Sequence, residues 1–279
     1  MTHSRVVRPQ IFAHIPQLVA GISTRHGGVS SQAYQSLNLG VHTDDDPEAI
    51  ESNLSLFCSD LGISPDALAR SYQVHGAEIW QTNVPGYQSG FDAIVAEKPG
   101  IIAGVGIADC CPILLADPVR QVTAAIHAGW KGTVAQIVSK TASTLIAAGS
   151  NPADILAYIG PCISLENFEV GEEVAEQFVH KEKRGDHWHV DLKATNAAQL
   201  RDLRINQIEI SEYCTVTNND VFFSHRSEKG ITGRMLAVIG WVNAAGVCDP
   251  GSVTAQSYIK PVAIRPRKLI ILGYKIALQ

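Results

Sequence analysis

The sequence predicts an α+β fold in which mixed β-sheets are flanked by helices. Three observations carry this. Short apolar runs recur from Phe91 to Trp241, separated by Gly, Pro and Asp-Pro turn signals, as buried strands read. Two longer segments instead repeat their apolar residues every three or four positions, the mark of an amphipathic helix. Strands and helices also alternate without the regular βαβ period that a doubly wound parallel sheet requires.

Taken in order, Ile11–Gly21 reads as a strand-like lead-in. It enters a polar loop, Ile22 to Ser30, whose Gly27-Gly28 pair suits a plain turn. The backbone N–H groups of such a loop, with Arg25 beside them, can also form an anion nest. Asp44-Asp45-Asp46 lacks the alternating ligands, central Gly and distal Glu of a calcium loop. Asp46-Pro47-Glu48 starts a helix instead, lined by Ile50, Leu54, Phe57 and Leu61 and stopped by Gly62. Ser71–Gly76 is a strand edge whose alternation puts Gln73 and His75 on one face. Phe91–Ala96 and Ile101–Val105 are short strands around Lys98-Pro99-Gly100. Gly104-Val105-Gly106 is not a dinucleotide fingerprint, because Asp109 stands where the third Gly belongs and a turn follows.

The stretch from Gly104 to Thr133 is the centre of the chain. Ile113–Ala116 and Val122–Ile126, joined through Asp117-Pro118, form a hairpin. A hairpin brings its ends together, so Cys110 before it can face His127 after it. Thr133–Ala148 follows as a helix with one apolar stripe, ended by Gly149. Its start lies directly after His127-Ala128-Gly129-Trp130-Lys131-Gly132, where a helix N-terminus favours an anion. Beyond it, Ile155–Ile159 is a strand, Gly171–His180 a helix, Trp188–Leu192 a strand and Ala194–Leu203 a helix. Gln207–Ile210, Val221–Arg226 and Met235–Trp241 complete the strands. From Asn243 prolines and basic residues replace the periodicity, so residues 1–242 read as a single catalytic domain and 243–279 as a C-terminal extension.

The 279 residues carry a formal charge of −5 and no long basic run, so nothing suggests a nucleic-acid surface. No charge-free apolar run approaches membrane-spanning length, and Met1–Gln10 has no secretory core. The six Cys show no disulfide-framework spacing, which predicts a reducing, cytoplasmic setting.

His75, Cys110 and His127 stand at the ends of predicted strands. Two His and one Cys make a first shell for Zn²⁺ that leaves a fourth position for water or substrate. Alternation sends Cys110 and Cys111 to opposite faces, so one can be a ligand and the other belongs to the core. The same residue types allow a thiol nucleophile: Cys110 activated by His127 or His75, with Asp109 or Gln73 orienting the base. Spacing leaves both readings open.

Eight motifs then occur in order: Ser23-Thr24-Arg25-His26-Gly27-Gly28-Val29-Ser30, Ser36-Leu37-Asn38-Leu39-Gly40, Gln73-Val74-His75-Gly76, Ala108-Asp109-Cys110-Cys111-Pro112, His127-Ala128-Gly129-Trp130-Lys131-Gly132, Ile159-Gly160-Pro161, Phe223-Ser224-His225-Arg226 and Thr232-Gly233-Arg234-Met235. Together, over residues 11–241, they resemble a bacterial family first described as multicopper polyphenol oxidase or laccase, and later as purine nucleoside phosphorylase and peptidoglycan-editing factor. The resemblance implies a fold related to cysteine-hydrolase-like toxin domains and a zinc bound by His75, Cys110 and His127. It implies phosphorolysis of adenosine, inosine, guanosine and methylthioadenosine, deamination of adenosine, and an editing role on a cell-wall precursor. Nucleoside and phosphate are then the expected partners. Arg25, Lys131 and the N-terminus of the helix at Thr133 are candidates for holding phosphate, and Asn38 and Asp109 for orienting ligands or the ribose. A cysteine-type amide hydrolase is the alternative, with a copper oxidase or a non-catalytic binding module behind it. A laccase needs about ten His ligands in clustered pairs. The chain has ten His in all, and His187-Trp188-His189 is its one His-x-His. Copper can still enter an open His₂Cys site adventitiously, since Cu²⁺ binds more tightly than Zn²⁺.

Overall fold

A computed structural model describes residues 4–243. The expected C-terminal extension falls outside the described residues, apart from Asn243. Two six-stranded mixed sheets pack face to face, and helices cover both outer faces. The first sheet runs β1 (Val6–Val7), β2 (Leu18–Ser23), β15 (Met235–Trp241), β7 (Ile102–Ile107), β3 (Leu68–Tyr72) and β5 (Gly86–Ser89). It is antiparallel from β1 to β7 and parallel from β7 to β5. The second runs β14 (Gln207–Ile210), β10 (Leu156–Ile159), β8 (Cys111–Asp117), β9 (Val122–Ala128), β6 (Ala93–Ala96) and β4 (Ile79–Thr82), parallel only at its two edges. A small sheet of β11 (Glu169–Val170), β13 (His187–Val190) and β12 (Lys181–Arg184) stands beside them.

Three apolar clusters explain the layering. One lies between the sheets, where Ile22, Val105 and Ile239 of the first meet Ile94, Leu114 and Ala125 of the second. A second joins the outer face of the second sheet to α3 (Ile137–Ala147) and α5 (Leu192–Asp202), through Ile113, Leu115, Val138, Leu145 and Leu200. The third packs α1 (Pro47–Leu61) on the outer face of the first sheet through Phe57, Leu61, Ile102 and Val238. Each of the Val, Leu, Ile and Phe side chains among these contributes on the order of 1.5–3 kcal/mol when fully buried. Strands buried on both faces need apolar residues throughout, and all seven residues of β8 and of β15 are buried.

The ends of α1 follow the expected chemistry. Asp46 caps it by accepting the Glu48 N–H, and Pro47 fills the first turn, where no N–H is needed. Gly62 adopts φ 69° and, with Ile63, returns N–H groups to Ser59 and Cys58 in a Schellman close.

Several expectations are corrected. Pro16 interrupts the lead-in, so a 3₁₀ turn at Gln10–Phe12 precedes a strand that begins only at Leu18. Ser71–Gly76 is not one strand, because β3 ends at Tyr72. The helix expected from Thr133 is broken: α2 (Trp130–Val134) stops, Gln136 turns at φ 59°, and α3 begins at Ile137. No long helix therefore points its N-terminus at His127. Gly171–His180 contracts to α4 (Glu172–Ala175). Val221–Arg226 is not a strand: Phe222 and Phe223 are fully buried, but the N–H groups of Val221 and Phe222 close a local turn on the Asn218 carbonyl. The run was apolar for burial and not for a ladder.

Candidate metal centre

The first ligand is set by a loop that one buried carboxylate holds. Past the end of β3, the Gln73 side-chain amide donates to the Gly106 carbonyl and accepts its N–H, both at 2.8 Å, extending the pairing with β7. The chain then turns sharply, with His75 at φ 59°. Asp92, fully buried at the entry to β6, accepts the N–H groups of Val74, His75 and Gly76 at 3.1, 3.0 and 2.7 Å. That net of donors fixes a left-handed, non-glycine backbone which would otherwise be costly.

The same Asp92 sets the second ligand. Its Oδ1 lies 2.8 Å from His127 Nδ1, and its backbone carbonyl accepts the His127 N–H at 2.7 Å. Nδ1 is thereby committed, and Nε2 is the ring nitrogen left for a metal. His127 reaches this place because β8 and β9 pair as the expected hairpin, with Pro112 opposite His127.

Cys110 sits where the chain passes from β7 of the first sheet to β8 of the second. Asp109 beside it adopts φ 82°. The Asp109 carboxylate accepts the Thr215 hydroxyl and the Arg226 N–H, both at 2.6 Å, and its carbonyl accepts the Ile163 N–H at 3.0 Å. Cys111 turns the other way into the helix-side core and is fully buried, as alternation requires.

One donor atom from each of His75, Cys110 and His127 lies within 4.8 Å of the others, and the two rings meet edge to face at 4.9 Å. That spacing suits a single ion at bonds of about 2.0–2.3 Å. Gly129 is required beside it: a Cβ there would stand 3.0 Å from Cys110 Sγ and 3.4 Å from His75 Cδ2. Burial opposes ionisation of the Cys110 thiol, but the charge and hydrogen bond of His127, then those of His75, bring it down to about 6. Burial likewise opposes a charged His127, yet Cys110 and Asp92 together push it up to about 10. Without an ion, the sulfur near neutral pH is a thiolate paired with a protonated His127, and a metal entering the site would displace that imidazole proton, since it takes the thiolate and the neutral ring. Two imidazoles and a thiolate, with His75 exposed, Cys110 half-buried and His127 buried, fit zinc with a position open to the adjoining cavity of about 380 Å³.

The other expected site residues lie as follows. Asp109 lines this cavity, with both carboxylate oxygens already occupied. Arg25 does not reach it: the guanidinium donates to the carbonyls of Gln35 and Asn219 and to Glu228, and stacks on Phe223. Asn38 is fully buried and spent on its own loop, donating to Thr43 and Asp45 and accepting from the N–H groups of Gly40 and Arg234. Lys131 is exposed, with Nζ 5.5 Å above the Trp130 ring. In their place the cavity wall carries Arg70, Arg226 and Arg234. Sequence reasoning gave no role to these three or to Asp92. The trace of Asp92 was a single acid inside the apolar run Phe91–Ala96.

Residues 19–242 match the family model described as multi-copper polyphenol oxidoreductase laccase. The chain belongs to this family. Its relatives within the laccase-like family carry a different description. A purine nucleoside phosphorylase of Deinococcus radiodurans is 41% identical over 227 residues, covering 78% of this chain and 87% of that one. The purine nucleoside phosphorylase YfiH of Escherichia coli is 36% identical over 246 residues, 85% and 98% of the two chains. The solved structure of YlmD from Geobacillus stearothermophilus superposes with a TM-score of 0.82 at 29% identity, covering 87% of this chain and 98% of that one. Among the described residues, His75, Cys110 and His127 are the one group of three or more His, Cys, Asp or Glu side chains placed to share an ion. Among the described residues the family's laccase description therefore finds no second ligand group for a cluster of several coppers.

Proposed function

We propose that the protein is a zinc-dependent purine nucleoside phosphorylase that also acts on methylthioadenosine and deaminates adenosine. The observation that carries this reading is the His₂Cys cluster opening on a cavity whose wall holds three arginines. The descriptions of the relatives support the substrate class. Zinc held by His75, Cys110 and His127 would supply Lewis acidity at the floor of the cavity, and copper would enter the same donors only adventitiously.

Phosphorolysis breaks the C1′–N9 bond and forms a bond from C1′ to a phosphate oxygen. The phosphate must be held against the ribose while positive charge builds on C1′. Arg226 and Arg234 take over that task from Arg25 and Lys131. The Arg226 backbone is tied to Asp109, next to Cys110, and its guanidinium is braced by the carbonyls of Asn167 and Glu169. Arg234 is braced by the carbonyls of Thr232 and Gly233. Planar guanidinium groups so fixed present their remaining donors to a phosphate with little loss of freedom. Asp109, the one carboxylate among the described residues of the wall, has its oxygens turned onto the Thr215 hydroxyl and the Arg226 N–H, so the arginines are left to meet the anion.

Incubation of the zinc-loaded protein with inosine, adenosine and methylthioadenosine, with and without phosphate, tests the reading. Phosphate-dependent release of free base with ribose 1-phosphate, or with 5-methylthioribose 1-phosphate from methylthioadenosine, supports it, and ammonia from adenosine supports the deaminase activity. Intact nucleosides throughout would overturn it.

One feature favours a second reading. Cys110, His127 and Asp92 form a thiolate–imidazole–carboxylate chain, which in metal-free protein has the make-up of a cysteine hydrolase acting on an amide of a cell-wall precursor. An acylating thiol probe that labels Cys110 in zinc-replete protein would shift the balance toward it. No helix among the described residues is long and apolar enough to cross a membrane. Cys110, Cys111, Cys162 and Cys214 are thiols, in keeping with a cytoplasmic setting.

A further inference from the structure

We propose that His42, Tyr72 and Tyr87 form the platform that receives the purine ring, an assignment that rests on the cavity being a nucleoside site. All three line the same cavity as His75 and Cys110. Their meeting is built into the first sheet. Alternation puts Arg70 and Tyr72 on one face of β3, and the parallel register of β5 sets Tyr87 opposite Arg70. His42 arrives from the loop after Gly40. Its Nε2 is 2.5 Å from the Tyr87 hydroxyl, and its ring stands edge-on to Tyr72 at 4.5 Å and 85°.

Tyr72 is 45% exposed and Tyr87 41% exposed, although both belong to a cavity wall. They add little to any of the three cores. Open aromatic faces beside a cavity are suited to a flat heterocycle, which recovers the area they leave in water. Two other rings of the wall are differently placed: Lys131 lies over Trp130 at 5.5 Å, and Arg226 lies over Phe168 at 5.8 Å. Arg226 on that side suits the anionic substrate, and the rings around His42 suit the flat base, with Arg70 standing opposite Tyr87 in the same register. Burial, then the nearby charge of Arg70, lowers the pKa of His42, and its ring, perpendicular to Tyr72, walls the base edge-on while Tyr72 supplies the stacking face. The Tyr87 hydroxyl fixes the orientation of that imidazole.

Titration of zinc-loaded, full-length protein with inosine in the absence of phosphate, followed by calorimetry, tests the platform apart from turnover. Loss of a stacking ring should weaken binding on the order of 10-fold. Tyr72→Ala is expected to show that loss with zinc content and thermal midpoint unchanged, and Tyr72→Phe to restore wild-type binding. Tyr87→Phe, which keeps the ring but releases His42, is expected to fall between them. In turnover the loss should appear in KM more than in kcat. Wild-type affinity for inosine in both Tyr72→Ala and Tyr87→Ala would overturn the platform while leaving a working phosphorylase intact. Conversely, a protein that binds inosine through these rings but never cleaves it would keep the platform and remove the phosphorylase reading. A wild-type protein that neither binds nor cleaves inosine would end both.

Discussion

Asp92 is bonded to His127 twice, through the ring at Oδ1 and through the backbone at its carbonyl oxygen, at 2.8 and 2.7 Å. The remaining capacity of the same carboxylate holds the loop that carries His75. One buried acid thus places two of the three candidate ligands. Asp92→Asn should therefore lower zinc affinity about 10–100-fold, as loss of an outer-shell partner does. Competition against a chromophoric chelator measures it. Unchanged affinity would show that the two imidazoles hold their places without the carboxylate.

The adjacent cysteines separate by role. Cys110→Ala should empty the site and abolish activity together. Cys111→Ala should keep the metal and cost only packing, on the order of 1 kcal/mol. Metal analysis and thermal unfolding of the two variants tell them apart, and zinc lost from the Cys111 variant would mean that the ligand is the wrong thiol.

Gly129→Ala tests the closeness of the site. The new methyl would press on Cys110 Sγ at 3.0 Å and on His75 Cδ2 at 3.4 Å. Because the backbone there has φ −69°, alanine is free of conformational strain, so the effect should fall on metal affinity and not on folding. Weakened zinc binding with an unchanged circular dichroism spectrum is expected.

Glu228 predicts an acid limb of stability. Burial works against its charge, but the Thr232 hydroxyl, the Ser224 N–H and the Arg25 guanidinium outweigh burial and hold its pKa below the usual 4.5. A carboxyl depressed in the folded state stabilises fully above its unfolded pKa, and that contribution is lost as pH falls through the folded one. Urea midpoints should therefore drop below about pH 4.5 in the wild type. Glu228→Gln should be less stable at neutral pH and show a shallower acid slope, since it also strands Arg25. Parallel slopes in the two proteins would contradict this.

Much of the scaffold was legible where local rules and burial agree. Asp46, Pro47 and Gly62 mark both ends of α1, and Asp117-Pro118 marks the hairpin that brings Cys110 and His127 together. The meeting of His75, Cys110 and His127 was legible in part, since the hairpin joins the last two, but His75 lies in a loop beyond β3 and not at its end. Asp92 was not, because a lone acid in an apolar run acquires meaning only when β6 closes beside the loop of His75. Tyr87 escaped because β5, Gly-Tyr-Gln-Ser, is exposed throughout and has no alternation to read. Arg25 and Asn38 misled in the opposite direction. Short polar motifs look like ligand sites, yet these two side chains spend their donors holding loops together.

Cys110 lies on the crossing from β7 to β8 and His75 on the crossing from β3 to β4, both between the two sheets, while His127 stands on β9 of the second. An ion shared by the three would rivet the halves of the sandwich to one another. A small slide of one sheet over the other would then alter the whole coordination sphere, so substitutions in the core between them, far from any substrate, can be felt as changes in metal retention.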